Sequence, residues 1–178
     1  MKYLVVSDIH GNVEYARKLE EIITLENPDK LILLGDLYYH GPKGYNDKYD
    51  FQTVVDILNK YKNIILCTYG NCDSSEDERV SEFELKESIT LKINNKYFYF
   101  THGNRYNKEN EPDYPFDVLI YGHLHIGFIE SENGKIYANP GSLSSPRYGS
   151  VNSYIIIDDY DILLKEVDGG VLDKVKYV

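Results

Sequence analysis

Asp8 and His10 stand one residue apart, just beyond the first apolar run, Tyr3-Leu4-Val5-Val6. In an extended chain residues i and i+2 point to one side, so this spacing lets a carboxylate and an imidazole meet at one point. That pairing suits a divalent cation, and it equally suits a strand-end hydrogen bond. Gly11 lets the backbone turn next, and Asn12 is a good N-cap for the amphipathic segment that follows. The theme repeats: Asp36 follows Gly35, Asn71 follows Gly70, His102 precedes Gly103, and His123 and His125 follow Gly122. Seven such ligands are too many for one catalytic ion and about right for two. Asp36, alone at its place with two oxygens, is the natural bridge.

The elements that position these groups follow from periodicity. Tyr3-Leu4-Val5-Val6 reads as a strand, and Val13, Ala16, Leu19, Ile22 and Ile23 recur at helical spacing over residues 12–26, with Pro28 marking the end. Leu31-Ile32-Leu33-Leu34 reads as a buried parallel strand delivering Gly35-Asp36. In open α/β sheets the site lies outside the carboxyl ends of the strands, which predicts that Asp8, His10 and Asp36 converge. Gly, Pro and Asn over residues 38–50 predict a surface loop containing His40-Gly41-Pro42. Phe51, Val54, Val55 and Leu58 give a second helix, and residues 63–67 a third strand before Gly70-Asn71-Cys72-Asp73. Residues 74–78 read as a solvated loop or a first helical turn.

The second half is richer in hairpins. Residues 88–93 and 96–100 flank Asn94-Asn95, residues 126–130 and 135–138 flank Asn133-Gly134, and Val118-Leu119-Ile120 is a short strand between them. Asn139-Pro140-Gly141-Ser142 reads as a loop, and residues 153–157, 162–167 and 171–177 as closing strands. Together these predict an α/β fold, two packed sheets with outer helices, in one domain spanning residues 1–178.

The net charge of −10 repels polyanions and argues against a protein that coats nucleic acid non-specifically. A small anion can still bind if metal charge dominates locally. No apolar run approaches the roughly 18 residues of a membrane span, and nothing at the start resembles a signal peptide. Cys67 and Cys72 are too few and oddly spaced for a zinc knuckle or a disulfide framework, so a reducing cytoplasm is the expected compartment. Strands near the C-terminus leave a homo-oligomer open.

The ordered series Asp8-Ile9-His10, Gly35-Asp36, Gly70-Asn71, Thr101-His102-Gly103 and Gly122-His123-Leu124-His125 resembles the metal-ligand signature of the calcineurin-like metallophosphoesterases. Gly35-Asp36 through His40-Gly41-Pro42, Gly70-Asn71-Cys72-Asp73-Ser74 and Asn139-Pro140-Gly141-Ser142 are similar to the small bacterial YfcE-type phosphodiesterases. The resemblance implies two mixed β-sheets packed face to face with helices outside. It also implies two divalent ions, Mn²⁺ foremost, with Fe²⁺, Ni²⁺ or Zn²⁺ as alternatives. One ion would be held by Asp8, His10, Asp36 and His125, and the other by Asp36, Asn71, His102 and His123, with a bridging hydroxide that attacks phosphorus. The implied partner is a small phosphodiester, with nucleic acid only as a substrate.

Asp36, Asn71, His40 and Cys72 are the expected catalytic residues. Many relatives have a His where Cys72 stands, thought to protonate the leaving oxygen. A thiol with pKa near 8.5 is a poorer donor, so leaving groups of low pKa should be cleaved best; the alternative is that Cys72 is a small apolar filler. His40 stands where phosphatase relatives have an Arg that grips phosphate, and Tyr39 where they have an Asp; His40 touches substrate or braces its loop. Arg105 and Arg147 are loop cations that bind phosphate or are simply solvated. A phosphomonoesterase or protein phosphatase is disfavoured by Cys72 and the short chain. A Vps29-like protein-binding scaffold, whose metal site has degenerated, is disfavoured because every ligand position is filled.

Overall fold

A computed structural model describes residues 1–40 and 47–178. Gly41 and Pro42 of the expected His40-Gly41-Pro42 loop therefore lie outside the described residues. The elements in chain order are β1 (Tyr3–Val6), α1 (Val13–Glu26), β2 (Lys30–Leu33), α2 (Phe51–Asn59), β3 (Ile65–Thr68), α3 (Ser75–Val80), β4 (Leu85–Lys86), β5 (Ile89–Ile93) and β6 (Lys96–Thr101). There follow β7 (Val118–Tyr121), β8 (Gly127–Glu132), β9 (Lys135–Pro140), β10 (Ser153–Ile157), β11 (Asp161–Glu166) and β12 (Val171–Lys176).

Two mixed sheets result. One has seven strands in the order β12-β11-β10-β1-β2-β3-β4, the other five in the order β5-β6-β7-β9-β8. β1, β2, β3 and β4 run parallel, as do β6, β7 and β9, so the carboxyl ends of each set gather together. Strand alternation explains why β1 and β2 read as unbroken apolar runs. Leu4, Val6, Leu31 and Leu33 face Ala16, Leu19, Val54 and Leu58 of α1 and α2. Val5 and Ile32 pack instead with Phe98, Phe100, Val118 and Ile120 of the smaller sheet. On that sheet's outer face Tyr99, Leu119, Tyr121 and Tyr137 are covered by Phe116 and Tyr106 from the loop before β7, not by a helix. No helix among the described residues is long and apolar enough to cross a membrane.

Local chemistry sets the boundaries. Asn12 caps α1 by accepting from the Tyr15 N–H, and Ser74 and Asp77 form a reciprocal capping box that extends the predicted first turn into α3. Asn94-Asn95 and Asn133-Gly134 take left-handed φ, as two-residue hairpin turns require. One expectation changes: Asn139 and Pro140 are not loop but the last residues of β9, paired with Phe128 and Gly127. The strand's end there tolerates a proline without an N–H, and the turn waits for Gly141, at φ 75°.

Candidate metal centre

The loops after β1 and β2 are zipped together beyond their strands. Asp8 N–H donates to Gly35 O at 3.2 Å, His10 N–H to Asp36 O at 2.9 Å and Gly11 N–H to Leu37 O at 2.9 Å. This corrects the extended-chain reading of Asp8-Ile9-His10. The strand ends at Val6, and Asp8 and His10 both take left-handed φ, 59° and 51°. Asp36, His123 and His125 share that conformation, at φ 54°, 66° and 60°. Each such non-glycine residue costs roughly 1–3 kcal/mol, and such strain persists only where surrounding contacts over-determine it.

Those contacts converge on the carboxylates. Asp8 is fully buried; its Oδ2 accepts from Ser7 Oγ at 2.6 Å and from His123 N–H at 3.0 Å. Its Oδ1 faces His125 Nε2 at 3.1 Å and His10 Nε2 at 3.5 Å. Asp36 Oδ1 accepts the Cys72 N–H at 2.8 Å, while Oδ2 lies 3.5 Å from His102 Nε2 and 3.7 Å from His10 Nε2. Asn71, whose Nδ2 meets Cys72 Sγ at 3.3 Å, turns Oδ1 to within 3.0 Å of His102 Nε2. The His123 ring lies edge-on to His102, centroids 5.1 Å apart.

The imidazoles are held from behind. His10 Nδ1 donates to Tyr39 O at 2.9 Å, His102 Nδ1 to Leu34 O at 2.7 Å and His125 Nδ1 to Ser145 O at 2.6 Å. A carbonyl oxygen can only accept, so each Nδ1 carries the proton, and in the neutral ring each Nε2 is a bare lone pair. These lone pairs point at carboxylate and amide oxygens and at one another, His10 Nε2 and His125 Nε2 being 3.3 Å apart. Asp8 Oδ1 is buried with no hydrogen-bond partner. Acceptors facing acceptors demand either a second proton on the rings or a cation among them, and neutral, back-bonded imidazoles are what a divalent metal takes. The donor set thus fits the expected ions. Without one, burial opposes charge on His10 and His102, yet the neighbouring carboxylates raise both above the ordinary histidine range. Burial and the nearby His102 lower His123. Burial would raise the carboxyls of Asp8 and Asp36, but the imidazoles beside them hold both below the usual range.

The profile of the calcineurin-like phosphoesterase superfamily domain matches residues 1–160. The chain belongs to that superfamily. Phosphodiesterase YfcE of Escherichia coli K12 is 31% identical over 166 residues, spanning 92% of this chain and 90% of its own. The solved structure of E. coli YfcE, a phosphoesterase, matches all of both chains with a TM-score of 0.94 at 28% identity. The probable metallophosphoesterase YsnB of Bacillus subtilis is 28% identical, over 88% of this chain and 83% of its own. Vacuolar protein sorting 29 of Cryptosporidium parvum shares the fold, with a TM-score of 0.68 at 17% identity over 98% of this chain and 97% of that one. This chain is accordingly a phosphoesterase enzyme, and its family and its candidate ligands both point to divalent metal ions.

Within the phosphoesterase, ligand atoms of Asp8, His10 and His125 lie within 4.8 Å of one another, as do those of Asp8, Asp36 and His102, and those of His10, Asp36 and Cys72. The half-buried His40 has its ring 5.8 Å from the rings of Tyr39 and Tyr49. Arg105 is occupied at the surface, its guanidinium over the Tyr106 ring and 3.7 Å from Glu87. Arg147 serves through its backbone, donating to His125 O at 3.0 Å.

Several supporting residues escaped the sequence reading. Asp73 accepts three N–H groups, from Asp36 and Gly70 through Oδ2 and from Leu37 through Oδ1, at 2.8–2.9 Å. Ser142 and Ser144 both donate to Asp8 O, and Asn139 to Gly122 O. The only signal for Asp73, Asn139 and Ser142 was membership of the quoted motifs, and Ser144 had none. Gly70 and Gly122 are required by close approach: a Cβ would fall 2.1 Å from Asp36 Oδ1 and 1.9 Å from Ser7 Oγ, respectively. A cavity of about 730 Å³ beside α1 includes none of the candidate ligands.

Proposed function

We propose that residues 1–178, as one domain, hydrolyse small phosphodiesters with two divalent ions, Mn²⁺ foremost. One ion is held by Asp8, His10, Asp36 and His125, the other by Asp36, Asn71, His102 and His123. The observation that carries this reading is the set of Nδ1 hydrogen bonds to Tyr39, Leu34 and Ser145 carbonyls, which turns three Nε2 lone pairs onto Asp8, Asp36 and Asn71 oxygens. When bound, such ions would lower the pKa of water to give a nucleophile and would stabilise the charge that develops at phosphorus.

The remaining work falls to the chain. The Cys72 N–H fixes one oxygen of Asp36 and leaves the other toward His102 and His10. Asp73 keeps the two loops in register. Burial and Asp36 push the Cys72 thiol up to about 12 in the metal-free chain, and a thiol is a poorer acid toward a leaving oxygen than an imidazolium. Aryl or otherwise activated leaving groups therefore suit this site better than alkyl ones. Similarity to phosphodiesterase YfcE supports the diester, and the free thiols of Cys67 and Cys72 support a reducing cytoplasm.

The test is hydrolysis of bis(p-nitrophenyl) phosphate against p-nitrophenyl phosphate by metal-stripped protein re-supplied with Mn²⁺, alongside His123→Ala. Metal-dependent cleavage favouring the diester, and lost in the variant, is expected. Preference for the monoester would make it a phosphomonoesterase, and absence of both metal binding and cleavage would turn the search to protein partners.

A further inference from the structure

Beside the ligand cluster lies a recess of about 270 Å³ lined by Tyr38, Tyr39, His40, Phe51, Cys72, Ser74 and Asp77. Its walls are aromatic. Tyr38 is 1% exposed, with its hydroxyl tied to Ser81 Oγ at 2.7 Å, and Phe51 meets its ring edge-on at 5.2 Å. The Tyr39 and His40 rings stack at 5.8 Å, 25° apart, yet Tyr39 remains 52% exposed at the mouth. No Lys or Arg is among the described residues of the lining, and Asp77 already accepts the Ser74 N–H. Among the described lining residues the face of a planar ring finds several of its own kind.

The recess adjoins the cluster through two residues. Cys72 lines it, and its Sγ lies within 4.8 Å of the ligand atoms of His10 and Asp36. Tyr39 lines it, and its carbonyl holds His10 Nδ1 at 2.9 Å. This places the slot on the Cys72 side of the cluster. Resting on the diesterase reading, we propose that the recess binds an aromatic ester arm of the substrate and that the Tyr39 ring is a specificity-determining stacking face for it.

Binding to the Mn²⁺-loaded full chain tests this without turnover. The probes are benzylphosphonate, whose methylene stands in for the ester oxygen, and ethylphosphonate, which lacks the ring. Wild type is expected to bind the benzyl compound at least about 5-fold more tightly, the low end of aromatic stacking. With Mn²⁺ held saturating for each protein, Tyr39→Ala should bring that ratio to about 1, and Tyr39→Phe should restore it. A ratio near 1 in wild type, a ratio untouched by Tyr39→Ala, or a ratio that Tyr39→Phe fails to restore would overturn the proposal. The catalytic reading fails on a different result, wild type lacking Mn²⁺-dependent cleavage of bis(p-nitrophenyl) phosphate, whatever the phosphonate ratio.

Discussion

His102, just past β6 of the smaller sheet, donates Nδ1–H to the carbonyl oxygen of Leu34, just past β2 of the larger one, at 2.7 Å. This contact ties the two sheets together at the cluster and at the same time aims Nε2 at Asn71 and Asp36. His102→Ala should remove both functions. Mn²⁺ affinity, read by calorimetry, is expected to fall by about 10²-fold or more, as loss of even an outer-shell partner costs 10–100-fold. Urea unfolding of the metal-stripped variant should show a loss of about 1–3 kcal/mol, because Leu34 O stays buried without its donor. An unchanged urea midpoint would mean that the contact does not join the sheets energetically.

Asp73 makes a second prediction, through positioning and not ligation. Its carboxylate gathers N–H groups from Asp36, Leu37 and Gly70, while Asp36 in turn accepts from Cys72. Asp73→Asn keeps the volume but turns an amide NH₂ toward backbone donors. The expected result is a loss of roughly 1.5–3 kcal/mol in urea unfolding and a 10- to 100-fold weaker Mn²⁺ site. If Mn²⁺ affinity held while stability fell, Asp73 would serve the fold alone.

Glu26 predicts the acid limb of stability, remote from the cluster. It closes α1, 8% exposed, and receives Lys165 Nζ, Tyr154 OH at 3.0 Å and Lys2 Nζ at 3.2 Å. Burial raises its carboxyl, but Lys165, Tyr154 and Lys2 together leave it below the ordinary glutamate value. A carboxylate depressed in the folded state contributes stability above its unfolded pKa, about 4.3, and that contribution is lost as pH falls through the lower folded value. Glu26→Gln should therefore be roughly 1–3 kcal/mol less stable at pH 7, and its stability should decline less than that of wild type between pH 5 and about 3. Parallel curves for the two proteins would refute this.

How far the sequence carries can be argued from β1 and its loop. Tyr3-Leu4-Val5-Val6 announces a strand buried on both faces because helices take Leu4 and Val6 while the second sheet takes Val5. The convergence of Asp8 and His10 is also legible, but by the wrong route: i, i+2 alternation belongs to strands, whereas here two left-handed residues make the approach. Asp and His visit that conformation more readily than most residues, but which of them adopt it is set by partners such as Gly35 O, Asp36 O and Ser142 Oγ from distant segments. Asp73 is opaque for the same reason, because two of its three partners lie 36 and 37 residues away. Asn139-Pro140 reads as loop since Pro and Gly punctuate it, and only its pairing with β8 makes it strand.

The thiol of Cys72 offers the most direct chemical test. Cys72 lines the aromatic recess, its Sγ lies within 4.8 Å of ligand atoms of His10 and Asp36, and in the metal-free chain burial together with Asp36 raises the thiol. A donor this weak gives little help to a leaving oxygen that needs protonation, so the rate should depend steeply on the pKa of the leaving alcohol. Cys72→His replaces it with a group titrating near neutrality. Across a series of aryl and alkyl diesters, the variant should flatten the plot of log kcat against leaving-group pKa. The alkyl end should gain about 10-fold or more, within the usual range of general-acid catalysis, and the p-nitrophenyl end should change little. Equal slopes in the two proteins would show that neither side chain delivers a proton, leaving Cys72 as a small filler between Asn71 and the Asp36 loop.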